Sequence, residues 1–142
     1  MGKALGDHTL QVLNHEEQPT EVWREGVRTR MRVSVLTDAA QLCVFEQWCD
    51  PGKGAPTHLH AVEEILTVMQ GNAEIWVEDD HHFAGPNQSV VIPAGRKHGF
   101  RNAGLDTLHV MATLAAAMFE GTFDDPNQIS RRWLPAPRLH GS

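Results

Sequence analysis

The sequence predicts an all-β fold, either a sandwich or a barrel. Many short segments have the alternating or β-branched composition of strands, and Gly, Pro, Asn and Asp residues separate them. No segment has a convincing helical pattern. The 142 residues fit one domain, which would bury roughly two-thirds of the surface of the unfolded chain.

The N-terminal part is expected to add strands to this domain. Residues 9–13 form one plausible short strand, and residues 27–35 form a clearer one, because apolar and polar residues alternate there. The polar positions of the clearer strand are Arg28, Arg30, Arg32 and Ser34. The three arginines can meet an anionic substrate or a partner subunit, but a solvated outer face is the expected role.

After a turn at residues 37–40, residues 41–48 are apolar on both faces, as in a strand between two layers. Because neighbouring strand residues point to opposite faces, either Glu46 or Gln47 points inward, and the sequence does not choose between them. Cys43 and Cys49 are the only cysteines. On one strand their Cα atoms would lie ~20 Å apart, too far for a disulfide, so two buried free thiols are expected.

The second half of the chain continues in strands. Residues 73–78 alternate, residues 79–82 have the composition of a polar turn, and residues 89–92 and 107–114 are two more strands. His81 and His82 are adjacent and therefore diverge on an extended chain. The histidines expected at the surface are His8, His15, His81, His82 and His140.

Residues 51–71, PGKGAPTHLHAVEEILTVMQG, contain two imidazoles and a carboxylate within seven positions, which is a metal-ligand set. A helix is one interpretation, since Leu59, Val62, Leu66 and Met69 recur at helical spacing. Strands are favoured, because Gly and Pro crowd the entry and β-branched residues follow. On a strand, His58 and His60 share one face ~6.6 Å apart. Glu64 would lie ~13 Å further along, so a turn is expected at residues 61–63.

Residues 87–102, NQSVVIPAGRKHGFRN, supply one more candidate ligand. Pro93 cannot donate a backbone hydrogen bond and Gly95 tolerates positive φ, so residues 93–95 are expected to form a turn between two strands. His98 follows this turn directly.

The two segments resemble the two conserved motifs of the cupin superfamily, in its small single-domain cupin type 2 form. The first motif matches at every defined position: Gly52, His58, His60, Glu64 and Gly71. The second has Asn87 where the family usually has Gly, followed by the expected Pro93, Gly95, His98 and Asn102. This departure is mild because Asn also tolerates left-handed geometry. The resemblance is close over residues 41–114.

The resemblance implies a single-domain jelly-roll β-barrel, often a homodimer, with a metal at the bottom of a pocket. Residues 37–118 would form the conserved barrel, and residues 1–36 would belong to the same domain. Residues 119–142 form a tail that is expected to dock in extended form, with Trp133 as an anchor, or to be partly disordered.

One divalent transition metal ion is the expected cofactor: iron, manganese, nickel, copper or zinc. Its ligands would be His58, His60, Glu64 and His98. Structural zinc sites are usually four-coordinate and rich in thiolates, whereas this nitrogen and oxygen set leaves two positions open on a six-coordinate ion. The expected site is therefore functional and Lewis acidic.

Three classes of function are compatible with such a site. A dioxygenase acting on a small molecule is favoured, because this activity is frequent in the family. The alternatives are a non-oxidative isomerase, decarboxylase or polyketide cyclase, and a cupin that binds a small ligand without catalysis. Glu64 can act as both ligand and base, and His109 as a proton shuttle if it faces the interior, although a histidine held in the core or outside is the alternative. The substrate pocket is expected to include Gln47, Phe100 and Met111.

Composition argues against some partners. The formal net charge is −6 and the isoelectric point is near 5.8, whereas sequence-independent binding to nucleic acid or to an anionic membrane needs a basic surface. An apolar run long enough to span a bilayer is absent, and the first residues do not have the apolar core of a signal peptide. A cytoplasmic protein with a small-molecule substrate is expected.

Overall fold

Two antiparallel sheets form the core of the computed structural model, which describes residues 10–136. Short helical turns cover His15–Glu17 and Val35–Thr37. The strands are β1 (Glu21–Arg24), β2 (Val27–Val33), β3 (Cys43–Cys49), β4 (Gly54–Leu59), β5 (Glu64–Gln70), β6 (Ala73–Val77), β7 (Asp80–Ala84), β8 (Gln88–Ile92), β9 (His98–Asn102), β10 (Leu108–Leu114), β11 (Phe119–Glu120), β12 (Thr122–Phe123) and β13 (Arg131–Arg132).

The order of strands is that of a jelly roll. One sheet has six strands in the order β1-β2-β3-β10-β5-β8, and the other has five in the order β12-β4-β9-β6-β7. Strands β11 and β13 form a separate pair. Neighbours in each sheet are mostly distant in sequence, as expected when chain segments cross between two layers. The prediction of an all-β jelly roll is confirmed.

The core lies between the two sheets and is built from the inward-facing residues of strands along which buried and exposed positions alternate. Strand β10 contributes Val110 and Leu114, β5 contributes Leu66 and Val68, and β6 contributes Ile75, all at most 2% exposed. Each such side chain stabilises the fold by about 1.5–3 kcal/mol when it is removed from water. Apolar side chains at every second position of these strands therefore hold the two layers together.

Two boundary predictions were wrong. Residues 10–13 are not in a strand, since Leu10 and Val12 are 94% and 95% exposed and find no apolar partner; Thr9 lies outside the described residues, as do His8 and His140. The predicted turn at residues 79–82 is instead mostly strand β7, paired with β6. An edge strand of this kind needs only one set of backbone hydrogen bonds, so its exposed polar composition resembles that of a turn.

Other predictions agree with the structure. Residues 54–59 and 64–70 are strands joined by a bend at residues 61–62, which excludes the helical interpretation. Cys43 and Cys49 are buried free thiols. Trp133 packs on the core, with its ring centroid 5.4 Å from that of Trp23. Among residues 10–136, no helix has the length and apolar character needed to cross a membrane.

Candidate metal centre

Four buried side chains from both sheets converge at one end of the core. His58 lies on β4 and His60 just after it, and His98 begins the neighbouring strand β9. Glu64 begins β5, in the other sheet. The bend after His60 brings the chain across from one sheet to the other, so that one potential ligand atom from each residue lies within 4.8 Å of all the others. All four residues are 5% exposed or less.

The three imidazole rings are oriented by backbone carbonyl groups. The Nδ1 atoms of His58 and His98 lie 2.7 Å and 2.9 Å from the carbonyl oxygens two residues earlier in the chain, and Nδ1 of His60 lies 2.7 Å from the Glu120 carbonyl oxygen. A carbonyl oxygen accepts hydrogen bonds and does not donate them, so each Nδ1 carries the hydrogen and donates it. In the neutral rings, every Nε2 atom therefore presents a lone pair to the centre of the cluster.

This donor set fits a metal cation. Oε1 of Glu64 lies 2.9 Å from His98 Nε2 and 3.3 Å from His60 Nε2, and an ionised carboxylate is also only an acceptor. The buried Nε2 atom of His60 has no hydrogen-bond partner among the described residues. Facing acceptors repel each other unless a cation lies between them, and imidazole with carboxylate suits first-row transition metals.

Burial and mutual contacts set the charge states of the cluster. Burial, together with the charges of His98 and His60, lowers the pKa of His58 to about 3. Burial alone would raise the pKa of Glu64, but its close contacts with His60 and His98 outweigh burial and hold that pKa well below its usual range. Burial would lower the pKa of His60, whereas contact with Glu64 raises it overall. His58 is thus neutral and Glu64 ionised near neutral pH, as ligands must be.

A narrow pocket with a cavity volume of about 20 Å³ opens from the cluster. Gln47 and Phe100 line it, as predicted, and the Gln47 amide donates a hydrogen bond of 3.0 Å to Thr29 Oγ1. The choice between Glu46 and Gln47 that the sequence left open is therefore answered in favour of Gln47. The remaining walls are Trp23, Arg24, Phe45, Ala55, Leu66, Ala112, Phe119 and Phe123.

His109 and Met111 do not line this pocket, which corrects the expectation for Met111 and favours the exterior alternative for His109. They alternate along β10 with inward residues such as Ala112, so both face the outside of the six-stranded sheet. The His109 ring stacks on Trp48 with centroids 4.9 Å apart, and its Nε2 atom lies 2.8 Å from Oε2 of Glu46. His109 thus belongs to a separate cluster behind the sheet.

Residues 119–123 contribute to the site, which sequence reasoning missed. Besides the Glu120 carbonyl, the Phe123 ring stacks on His58 at 4.8 Å, and Phe119 meets the His60 ring edge-on at 5.3 Å. A Cβ atom on Gly121 would lie only 3.2 Å from Cε1 of His60, so a glycine permits this close approach. The segment has no hydrophobic period, and no signal in the sequence points to it.

Comparisons with known proteins agree with this architecture. The family model described as "Cupin domain" matches residues 47–114. Auxin-binding protein 1 of Arabidopsis thaliana is 26% identical over a region covering 58% of this chain and 46% of that protein. The chain thus matches less than half the length of that curated relative.

Two solved structures illustrate the structural likeness. The polyketide cyclase RemF from Streptomyces resistomycificus has a TM-score of 0.66 at 19% identity, covering 75% of this chain and 79% of that one. A mutant of oxalate decarboxylase OxdC from Bacillus subtilis has a TM-score of 0.70 at 17% identity, covering 82% of this chain and 32% of that one. At such identities the likeness shows the fold alone.

Proposed function

Because the chain belongs to the cupin superfamily, we propose that it is a metal-dependent enzyme that acts on a small molecule. The observation that carries this proposal is the convergence of three Nε2 lone pairs and the Glu64 carboxylate on one buried point. His58, His60, Glu64 and His98 would hold one divalent transition metal ion.

When bound there, such an ion supplies Lewis acidity to a coordinated substrate oxygen, and a redox-active ion also supports reaction with dioxygen. The protein would contribute orientation, exclusion of water and a proton acceptor. Aromatic walls keep water out, and the Gln47 amide is held in place by Thr29. Glu64 is the only carboxylate among the described residues that line the pocket, so it is our candidate base.

The reaction that we place first is non-oxidative chemistry of a carbonyl or enol substrate: cyclisation, decarboxylation or isomerisation. Such reactions need a polarised oxygen and a nearby base, and no second redox partner. A polyketide cyclase and an oxalate decarboxylase share the fold, which makes these classes natural candidates.

Two further functions remain in consideration. A dioxygenase is favoured by the ligand count, since four protein ligands leave two positions on a six-coordinate ion. A binding role without catalysis is favoured by the similarity to a protein named for binding auxin.

A proton-exchange experiment distinguishes these functions. Protein reconstituted with zinc, manganese or iron is incubated without oxygen in D2O with a panel of β-dicarbonyl compounds and β-keto acids, and NMR follows exchange of the acidic hydrogens and decarboxylation. We expect turnover faster than with the free ion, loss of turnover in His98→Ala, and full turnover in the control His82→Ala, whose side chain is exposed on β7.

The alternative outcomes assign the other functions. Oxygen uptake in air with no anaerobic turnover would replace our first choice by a dioxygenase. Tight binding of a panel member without turnover under either condition would make the protein a binding module.

A further inference from the structure

Arg24 is a cationic side chain in the pocket wall that metal binding does not use. It ends strand β1 and is partly buried. Its Nε atom donates to Oε1 of Gln128 at 3.0 Å, and its Nη1 atom donates to the Gly54 carbonyl oxygen at 3.1 Å. Both acceptors are neutral, and within residues 10–136 no carboxylate forms an ion pair with Arg24.

The charge on Arg24 is poorly compensated by the protein. Burial, and then the nearby charge of Arg132, lower the pKa of the Arg24 guanidinium. Arg132 itself lies 3.9 Å above the Trp23 ring, another pocket wall, and its buried Nε atom has no hydrogen-bond partner among the described residues. Two guanidinium groups beside one apolar pocket, with no carboxylate pairing with Arg24, favour a site for an anion.

Arg24 is close to the metal centre. Its guanidinium carbon lies 5.9 Å from the centroid of the Phe123 ring, and the same ring stacks on His58. A single aromatic side chain thus contacts both the cation and a ligand of the proposed metal. Further aromatic walls, Trp23, Phe45, Phe100 and Phe119, enclose the space beside them.

We propose that Arg24 binds a carboxylate of the substrate, so that the substrate is a small organic acid with a flat, apolar body. The acid group would pair with Arg24 while metal-chelating oxygens at its other end face the histidine cluster. The guanidinium presents five N–H groups in a planar fork that matches a carboxylate, and only two of its nitrogen atoms are engaged. This inference rests on the proposed metal-dependent function.

A matched pair of probes tests the role of Arg24. One is dihydroxyphenylacetate, a catechol that carries a carboxymethyl group, and the other is its neutral amide. Both chelate zinc through the catechol, and zinc does not oxidise them. Calorimetry of the zinc-loaded protein should show the acid binding about tenfold more tightly than the amide, as expected for a hydrogen-bonded charge pair.

Variants then assign the preference to one side chain. In Arg24→Gln the ratio of acid to amide affinity should fall to about one, with the amide affinity unchanged, and Arg24→Lys should restore part of the ratio. The control Arg28→Gln should keep the full ratio, because Arg28 lies over Trp48, outside the pocket.

The outcomes separate this inference from the proposed function. If Arg24→Gln keeps the acid preference, or the wild-type protein has none, the carboxylate role of Arg24 is overturned while the metal site stands. If neither probe binds more tightly with zinc than without it, the metal-dependent function fails, and this inference fails with it.

Discussion

The orientation of the three histidines depends on single carbonyl groups, two local and one remote. His58 and His98 each donate to the carbonyl two residues earlier, so their ring positions follow from the local backbone of each motif. His60 donates to Glu120, which is sixty residues away. The sequence motifs therefore contain most of the donor geometry, but the orientation of His60 depends on tertiary structure.

The two cysteine thiols should be unreactive towards alkylating reagents in the folded protein. Burial raises the pKa of both Cys43 and Cys49 to about 12, so almost no reactive thiolate is present near pH 8. Treatment with iodoacetamide should leave the native protein unmodified by mass spectrometry, and should add two labels in denaturant. Rapid labelling of the folded protein would show that the strand β3 is not buried as described.

Backbone conformation at single residues was largely predictable. Asn87 and Gly95 have φ of 66° and 77°, as their motif positions require. The direction of His109 was not predictable, because a strand in the middle of a sheet can carry a polar residue on either face when a partner covers it. That partner is Glu46, which lies on the neighbouring strand.

At the scale of the element, strands β2, β3 and β10 carry a polar cluster on the outer face of the six-stranded sheet. The Glu46 carboxylate is 2% exposed and contacts Arg30 at 2.8 Å, Arg32 at 3.7 Å and His109 at 2.8 Å. Two of the arginines that were expected to be solvated thus compensate a buried carboxylate. The cluster links β2 to β3 and β10, and the last two strands carry pocket residues on their other face.

This cluster should make stability depend on pH. Burial alone would raise the pKa of Glu46, but hydrogen bonds from His109 and Arg30 and the charges of Arg32 and Arg30 lower it overall. A depressed pKa stabilises the fold above the pKa of the unfolded carboxyl, and this contribution is lost as pH falls below it. Glu46→Gln should lower the free energy of unfolding, measured with urea at neutral pH, by about 1.5–3 kcal/mol, which is the range for hydrogen bonds to a charged group.

The difference in unfolding free energy between Glu46→Gln and the wild type should shrink as pH falls below the ordinary carboxyl pKa of 4.5 and through the lower pKa of the native carboxylate. A difference that is constant over this range would contradict the assigned contacts.

Because the cluster lies behind the sheet, His109→Ala should leave metal content and turnover unchanged. Loss of turnover in a variant that still binds metal would restore the catalytic role that the sequence suggested.

Strands β1 and β7 were missed in the sequence for physical reasons. Both lie at the edge of a sheet, and β7 is exposed at four of its five positions. Edge strands gain backbone hydrogen bonds on one side only and need little apolar surface, so their hydrophobic pattern is weak. Strands in the sheet interior, such as β3 and β10, were recognised because burial imposes a clear pattern on them.

At the scale of the whole molecule, the site is formed by residues from both sheets and from the segment 119–123. The two motifs placed the four candidate ligands correctly in one cluster, whereas the pocket walls from β1 and from residues 119–123 depend on packing between distant segments. The division of the chain into residues 1–36, 37–118 and 119–142 stays a prediction.

A homodimer also stays a prediction. We expect its interface on the outer face of the six-stranded sheet. Ile65 and Val91 are paired neighbours there and are 41% and 59% exposed, with Met69 further along the same face of β5. Light scattering after gel filtration should give twice the chain mass of 15.8 kDa. Ile65→Glu should halve this value, while Val12→Glu, in an exposed coil, should not. A wild-type protein with the mass of one chain would refute the dimer.

The measurement that tests the central claim most directly is the metal content of protein purified without an affinity metal. We predict about one equivalent of a divalent transition metal in the wild type and in the control His82→Ala, as a single set of four ligands requires. In His98→Ala most of the metal should be lost, since one of four ligands is gone. Equal metal content in His98→Ala and wild type, or a wild type that takes up no metal on reconstitution, would contradict the proposed centre.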